Sequence, residues 1–186
     1  MANPVVQMID SIIRQIQERY ERGTMVLERD MATLRHQMES ALSIQDMGLQ
    51  GDIELLMGRI LFASGPDWRS ALEHFYSAHR LYSSINRAPK VAQALMMIGV
   101  WQHMDGQLDA ALETLTQARD QAEEQNYHSL IARCLSYLGT IYSDLGNNTA
   151  ALAQFTEASE LLKRASITGA GANSFCSWNM AWGAAT

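Results

Sequence analysis

The sequence predicts an all-α fold, an α-solenoid of antiparallel helix pairs preceded by an N-terminal helical hairpin. Three observations carry that prediction. The first is an internal repeat. YLGTIYSDLGNNTAALAQF at 137–155 echoes MIGVWQHMDGQLDAALETL at 97–115, and more loosely LMGRILFASGPDWRSALEHF at 56–75. Ala71, Ala111 and Ala151 recur at one constant step, as do Leu72, Leu112 and Leu152, then Phe75, Leu115 and Phe155, then Ala78, Ala118 and Ala158. The turn before them recurs as Pro66, Gly106 and Gly146, while Gly99 and Gly139 keep the same step and Gly58 falls one position out of phase. An extra residue in the turn at 63–66 accounts for the slip. The second is periodicity: Leu108, Ala111, Leu112, Leu115, Ala118 and Ala122 form one helical stripe. The third is the poverty of strand signals, since the one Asp-Gly pair, Asp105-Gly106, lies between helical patterns. A propeller of similar period needs four strands per repeat. Stacked helix pairs fit better.

The elements follow in order. A helix over 4–22 opens at Pro4, where a missing amide proton matters least, and carries the seam Val5, Ile9, Ile12 and Ile16. A second over 24–47 carries Leu27, Met31, Leu34, Met38 and Ala41. The two seams are out of register by one position across Gly23, so a single straight coiled coil does not fit. Two antiparallel helices forming a degenerate first unit do. The sharper alternative is that one of them forms a dimer seam, or occupies a groove of the array. Helices over 51–63, 67–85, 89–104, 107–125, 128–144 and 148–165 then make three pairs, with Pro66 and Pro89 at helix starts. Gly146-Asn147-Asn148 ends one helix and caps the next, because glycine tolerates a left-handed C-cap and asparagine accepts amide hydrogen bonds. Gly139 and Ala151 are expected at the helix crossing, with Tyr142 and Phe155 on either side. The organisation is therefore a hairpin over 1–50, three repeats over 51–165 and a tail over 166–186.

That tail contains Gly169 and Gly171 and reads like a linker, yet the repeat continues into it. Leu135 maps to Phe175, Leu138 to Trp178, Gly139 to Asn179 and Tyr142 to Trp182. The spacing of Phe175, Trp178 and Trp182 predicts a capping helix over 172–183 with one apolar face. Its other side (Ala172, Met180 and Ala181) leaves an edge able to pair with a second copy, so a homodimer is expected.

Composition narrows the function classes. The chain has 186 residues, of which 47% are apolar and 18% charged. Those are ordinary means for one packed domain or a short array. A net charge of −6 argues against nucleic acid, which wants a basic face. No apolar run spans a bilayer, and MANPVVQMIDSIIRQIQERY lacks the basic start of a signal peptide. Two cysteines, Cys134 and Cys176, make no disulfide framework. The expectation is a cytoplasmic protein with no membrane and no nucleic acid among its partners.

Catalytic and metal signatures are missing. His36, His74, His79, His103 and His128 form no HExxH pair, and neither cysteine has a close second. There is no nucleophile elbow and no phosphate loop. Paired carboxylates such as Glu123-Glu124 read as solvated helix ends. The expectation is no enzyme, no cofactor and no metal.

Leu135, Leu138, Gly139, Tyr142, Ala151, Phe155 and Ala158 fall on the signature positions of a tetratricopeptide repeat, which this unit resembles. The unit before it keeps Leu95, Ile98, Gly99, Ala111, Leu115 and Ala118 but has Gln102 where an aromatic is usual, and the first keeps Gly58, Ala71, Phe75 and Ala78. The resemblance covers positions 51–165 and is to the long repeats of the family, in which the helices are extended by about a turn. Armadillo and HEAT repeats share the period but not the signature. The resemblance implies a right-handed solenoid that binds proteins or peptides, such as the sensory or interaction part of a bacterial regulatory system. The alternative is a homo-oligomerisation module of a larger signalling protein. It also implies a groove lined by the first helix of each pair. Carried over, its residues are Arg59 and Phe62; Gln93, Met96, Met97, Val100, His103 and Met104; and Arg133, Ser136, Tyr137, Thr140 and Asp144. A methionine-rich centre between arginines would suit an amphipathic helix; the competing reading makes Met96, Met97 and Met104 core. The lysine–asparagine clamp of chaperone-binding relatives is missing.

Overall fold

A computed structural model describes residues 3–64 and 68–167, with side chains as far as Arg164. Among the described residues there are eight α-helices, a single 3-10 turn and no strand. The helices are α1 (Pro4–Glu21), α2 (Leu27–Ser43), α3 (Met47–Ala63), α4 (Ala71–Ser84), α5 (Ala88–Met104), α6 (Leu108–Glu124), α7 (His128–Asp144) and α8 (Asn148–Ile167), with the 3-10 turn at Trp68–Ser70. They fall into two compact units that divide between Arg87 and Ala88.

The same device ends most of these helices. Asn86, Gly106, Asn126 and Gly146 take left-handed backbone angles and are evenly spaced, half a repeat from one to the next. At Gly146 the amide donates to Ser143 O at 2.9 Å and the next amide, of Asn147, to Tyr142 O at 2.8 Å. That is the Schellman pattern, which satisfies the last carbonyls of α7. Gln45 adopts the same conformation at φ 55° and ends α2 at Ser43 rather than at position 47. α3 then starts at Met47, with Asp46 Oδ1 accepting from Leu49 N at 3.0 Å. Residues 48–50, which the expected helix bounds left as a connection, lie inside α3. The expected cap at Asn147 is in place, its Oδ1 accepting from Ala150 N at 3.1 Å. Pro66 and the 172–183 segment lie outside the described residues.

In the first unit Ile9, Ile13 and Ile16 of α1 meet Met31, Leu34 and Ala41 of α2 and Leu49, Ile53, Leu56, Met57 and Ile60 of α3 in one buried cluster. The buried face of α1 runs through Ile13 rather than Ile12, and Val5 and Leu27, the first residues of the two expected seams, stay exposed. α2 has no side-chain N-cap of its own; instead the buried Asp30 reaches back, accepting from Val26 N at 3.0 Å and from Arg19 Nη2 at 2.6 Å. Burial alone would raise the Asp30 pKa, but the Arg19 and Val26 hydrogen bonds outweigh it and hold the carboxyl below its ordinary value.

Helix pairing rests on glycine in both units. A Cβ on Gly58 would lie 2.6 Å from Phe75 Cε1, one on Gly99 2.7 Å from Leu115 Cγ, and one on Gly139 2.7 Å from Phe155 Cε1. The two members stand one position further apart in the first pair (58 and 75) than in the others (99 and 115, 139 and 155). The extra residue inferred from sequence therefore lies between Gly58 and Phe75, and the pairing absorbs it. The detail at the crossing differs from expectation: the space beside Gly139 is taken by the Phe155 ring rather than by Ala151. A flat ring needs more room than a methyl group, and only glycine yields it.

Candidate functional site

The second unit consists of α5–α6 and α7–α8, with α6 packed on α7 and α5 touching α7. The two first helices, α5 and α7, bring most of the expected groove residues to one unit. Their burial divides the set. Met96, Met97 and Val100 are 0%, 1% and 1% exposed, so they are core and present no surface to a ligand. The methionine-rich apolar centre expected from the sequence is therefore corrected to packing. α5 is apolar on several sides, and periodicity does not tell which side stays open. Met104, at 42% exposure, is the one methionine of the three candidates for core filler that remains accessible.

What stays open on these helices is mixed in character. Gln93, His103, Arg133, Ser136 and Tyr137 are half-buried, while Thr140 and Asp144 are exposed. His103 Nε2 and Asp144 Oδ2 are 2.6 Å apart. Where the carboxylate is ionised it only accepts, so the imidazole then donates from Nε2. This bond ties the last turn of α5 to the last turn of α7 and fixes the spacing of the two helices there. Ser136 and Thr140 turn their hydroxyls back onto their own helix, donating to Ala132 O at 2.9 Å and Ser136 O at 3.1 Å. Sequence reasoning named both His103 and Asp144 but not their pairing.

Arg59 and Phe62 belong to the first unit and serve its packing. Arg59 is 8% exposed with its guanidinium 5.1 Å from the centroid of the Tyr20 ring. Phe62 is 7% exposed and meets Phe75 and Trp68 edge-to-face at 6.2 and 6.4 Å. Sequence reasoning missed Asp52 and Tyr82, whose hydroxyl donates to Asp52 Oδ1 at 2.7 Å, and the His74–Glu54 contact at 2.6 Å. No local signal exposes such pairs, because each joins two helices. No group of three histidine, cysteine or acidic residues among the described residues could hold a metal ion. Nor is any helix among them long and apolar enough to cross a membrane.

No curated protein matches the chain. Among solved structures, a MamA RS-1 ArsTM double mutant aligns at 17% identity over 90% of this chain and 99% of its own, with a TM-score of 0.37. MamA 41-end from Desulfovibrio magneticus RS-1 aligns at 17% identity over 88% of this chain and 98% of its own, with a TM-score of 0.38. The tetratricopeptide repeat family matches residues 49–124 and 105–164, which takes in every helix from α4 to α7 and most of α3 and α8. The chain belongs to the tetratricopeptide repeat family.

Proposed function

We propose that this chain is a protein-binding scaffold whose second unit receives a segment of a partner on the open face of α5 and α7. The observation that carries the reading is the His103–Asp144 bond, which holds two first helices side by side, with Met104 exposed and Tyr137 half-buried nearby in sequence. Accessible side chains there are mostly hydrogen-bonding, so the bound segment is matched through polar groups, with one apolar side chain anchored at Met104 or Tyr137. A wholly apolar helix face would need Met96, Met97 and Val100, which are buried. Service as the sensory or interaction part of a bacterial regulatory system is the setting such a scaffold suits, and no catalytic role is proposed.

Selection of a displayed peptide library against the purified chain tests this. Enriched peptides are expected to lose about tenfold in affinity with Tyr137→Ala or Met104→Glu, as for anchor side chains, and to be unaffected by Leu152→Asp on α8. Peptides indifferent to both α5 and α7 substitutions, in variants that keep the helical signal, overturn the reading.

A further inference from the structure

The two first helices of the second unit present unlike groups at equivalent positions. Met104 in the last turn of α5 and Asp144 in the last turn of α7 stand one repeat step apart. Met104 is 42% exposed and the Asp144 side chain 50%. An apolar side chain and a carboxylate are thus displayed on neighbouring helices. Their spacing is fixed, because Asp144 Oδ2 is held 2.6 Å from Nε2 of His103, the residue before Met104. That contact engages one carboxylate oxygen and leaves Oδ1 to accept from an incoming donor.

Acceptors continue along α7. Ser136, Thr140 and Asp144 follow at steps of four and share one side of the helix. The two hydroxyls commit their only proton to the carbonyls of Ala132 and Ser136, so each has lone pairs alone left to offer. No lysine or arginine occurs over 91–118 or 134–162. On α7 the one arginine, Arg133, stands roughly 16 Å from Asp144 at the helical rise, and Lys90 lies at the far end of α5. Salt screens exposed charges beyond about 8 Å, so neither offsets Asp144.

We propose that the segment received on this face is basic. It sets an apolar side chain on Met104 and a lysine or arginine on Asp144 Oδ1, and meets Ser136 and Thr140 with N–H donors. This deepens the reading of the face as a protein-binding surface and rests on it. The spacing specifies the segment further. Packed helices stand about 8–10 Å apart. Side chains on one side of an extended chain lie roughly 7 Å apart at steps of two and 13 Å at steps of four. A cation two or four positions from an apolar residue fits, its long stem taking up the difference. The net charge of −6 favours the approach of such a segment, and Asp144 repels an acidic one.

A displayed library of random short peptides, selected against the full chain, tests this. Lysine or arginine should be enriched two or four positions from an apolar residue. In a synthetic peptide of the enriched sequence, replacing that cation by glutamine should weaken binding about fivefold, the upper range for an exposed ion pair. Higher salt should narrow the difference. Asp144→Asn removes the charge yet keeps an amide oxygen for His103, and because the side chain is half-exposed the variant should fold. It should weaken the cationic peptide by the same factor and leave the glutamine peptide unchanged. Peptides that depend on Met104 and Tyr137 but show no preference for a cation overturn the inference and leave the binding face standing. So do cationic peptides that bind Asp144→Asn as tightly as the native chain. Peptides indifferent to Met104, Tyr137 and Asp144 alike overturn both.

Discussion

The ring of Tyr82 on α4 lies directly on Gly51 of α3, so that a Cβ on that glycine would sit 2.6 Å from Tyr82 Cε1. The ring is fully buried and its hydroxyl is held by Asp52, so it has nowhere to move. Gly51→Ala gains about 1 kcal/mol of helix propensity but overpacks by roughly 1–3 kcal/mol or more. A net loss of thermal stability is expected. A melting temperature that rises would show the ring free to shift.

The three repeat glycines should not respond alike. Gly58 faces Phe75, which is 0% exposed, and Gly99 faces Leu115, also 0% exposed, whereas Gly139 faces Phe155 at 41%. Phe155 has open space on its outer side and can swing away. Alanine at 58 or 99 should therefore destabilise more than alanine at 139, within the roughly 1–3 kcal/mol range of overpacking. Equal losses in denaturant unfolding of chains truncated at Ile167, where no tail can cover Phe155, would count against this account.

Asp30 makes the first unit sensitive to acid. Its folded-state pKa lies below the unfolded value. Its contribution is therefore fully present above the unfolded pKa of about 3.9 and is lost as pH falls through the folded one. Asp30→Asn should remove about 1–3 kcal/mol at neutral pH, because Arg19 and the Val26 amide lose a charged acceptor. It should also flatten the acid limb of the stability profile. Chemical denaturation of both proteins from neutral pH down through the carboxylate range checks the two effects together.

Tyr82 acts at the other end of the scale. Burial first, and then the charge of Asp52, push its phenol above its ordinary value. The stability it gives is complete below the unfolded pKa and declines as pH rises above it, since only the unfolded chain then ionises. Tyr82→Phe should lose about 1 kcal/mol at neutral pH through the missing hydrogen bond and fall less steeply above pH ~10. Parallel alkaline unfolding curves for the two would refute this.

Cys134 reports on the second unit. Burial pushes its thiol up to about 12, so almost no thiolate forms at neutral pH and no reagent reaches it. In a Cys176→Ser background, maleimide labelling should proceed only at the rate the unit opens, accelerating with denaturant. Rapid labelling under native conditions would mean that α7 is not buried on the Cys134 side.

The helical class, the constant repeat step, the bounds of α1 and of α5 to α8 within two residues, and the family are legible along the chain, because each is a local or periodic property. Small residues at Ala71, Ala111 and Ala151, turn residues half a repeat apart from Asn86 to Gly146, and stripes at three and four are all written there. Which side of an apolar helix stays open is not. α5 carries Met96, Met97, Val100 and Met104 on one short stretch, and nothing in their order says that three are core and one is accessible. Packing settles that, and it settles the polar pairs as well: Arg19 with Asp30, Asp52 with Tyr82 and His103 with Asp144. Each joins side chains from two different helices, whose meeting depends on how the helices cross. The crossing is set by a glycine receiving a bulky side chain, and that is a matter of shape in three dimensions rather than of spacing along the chain.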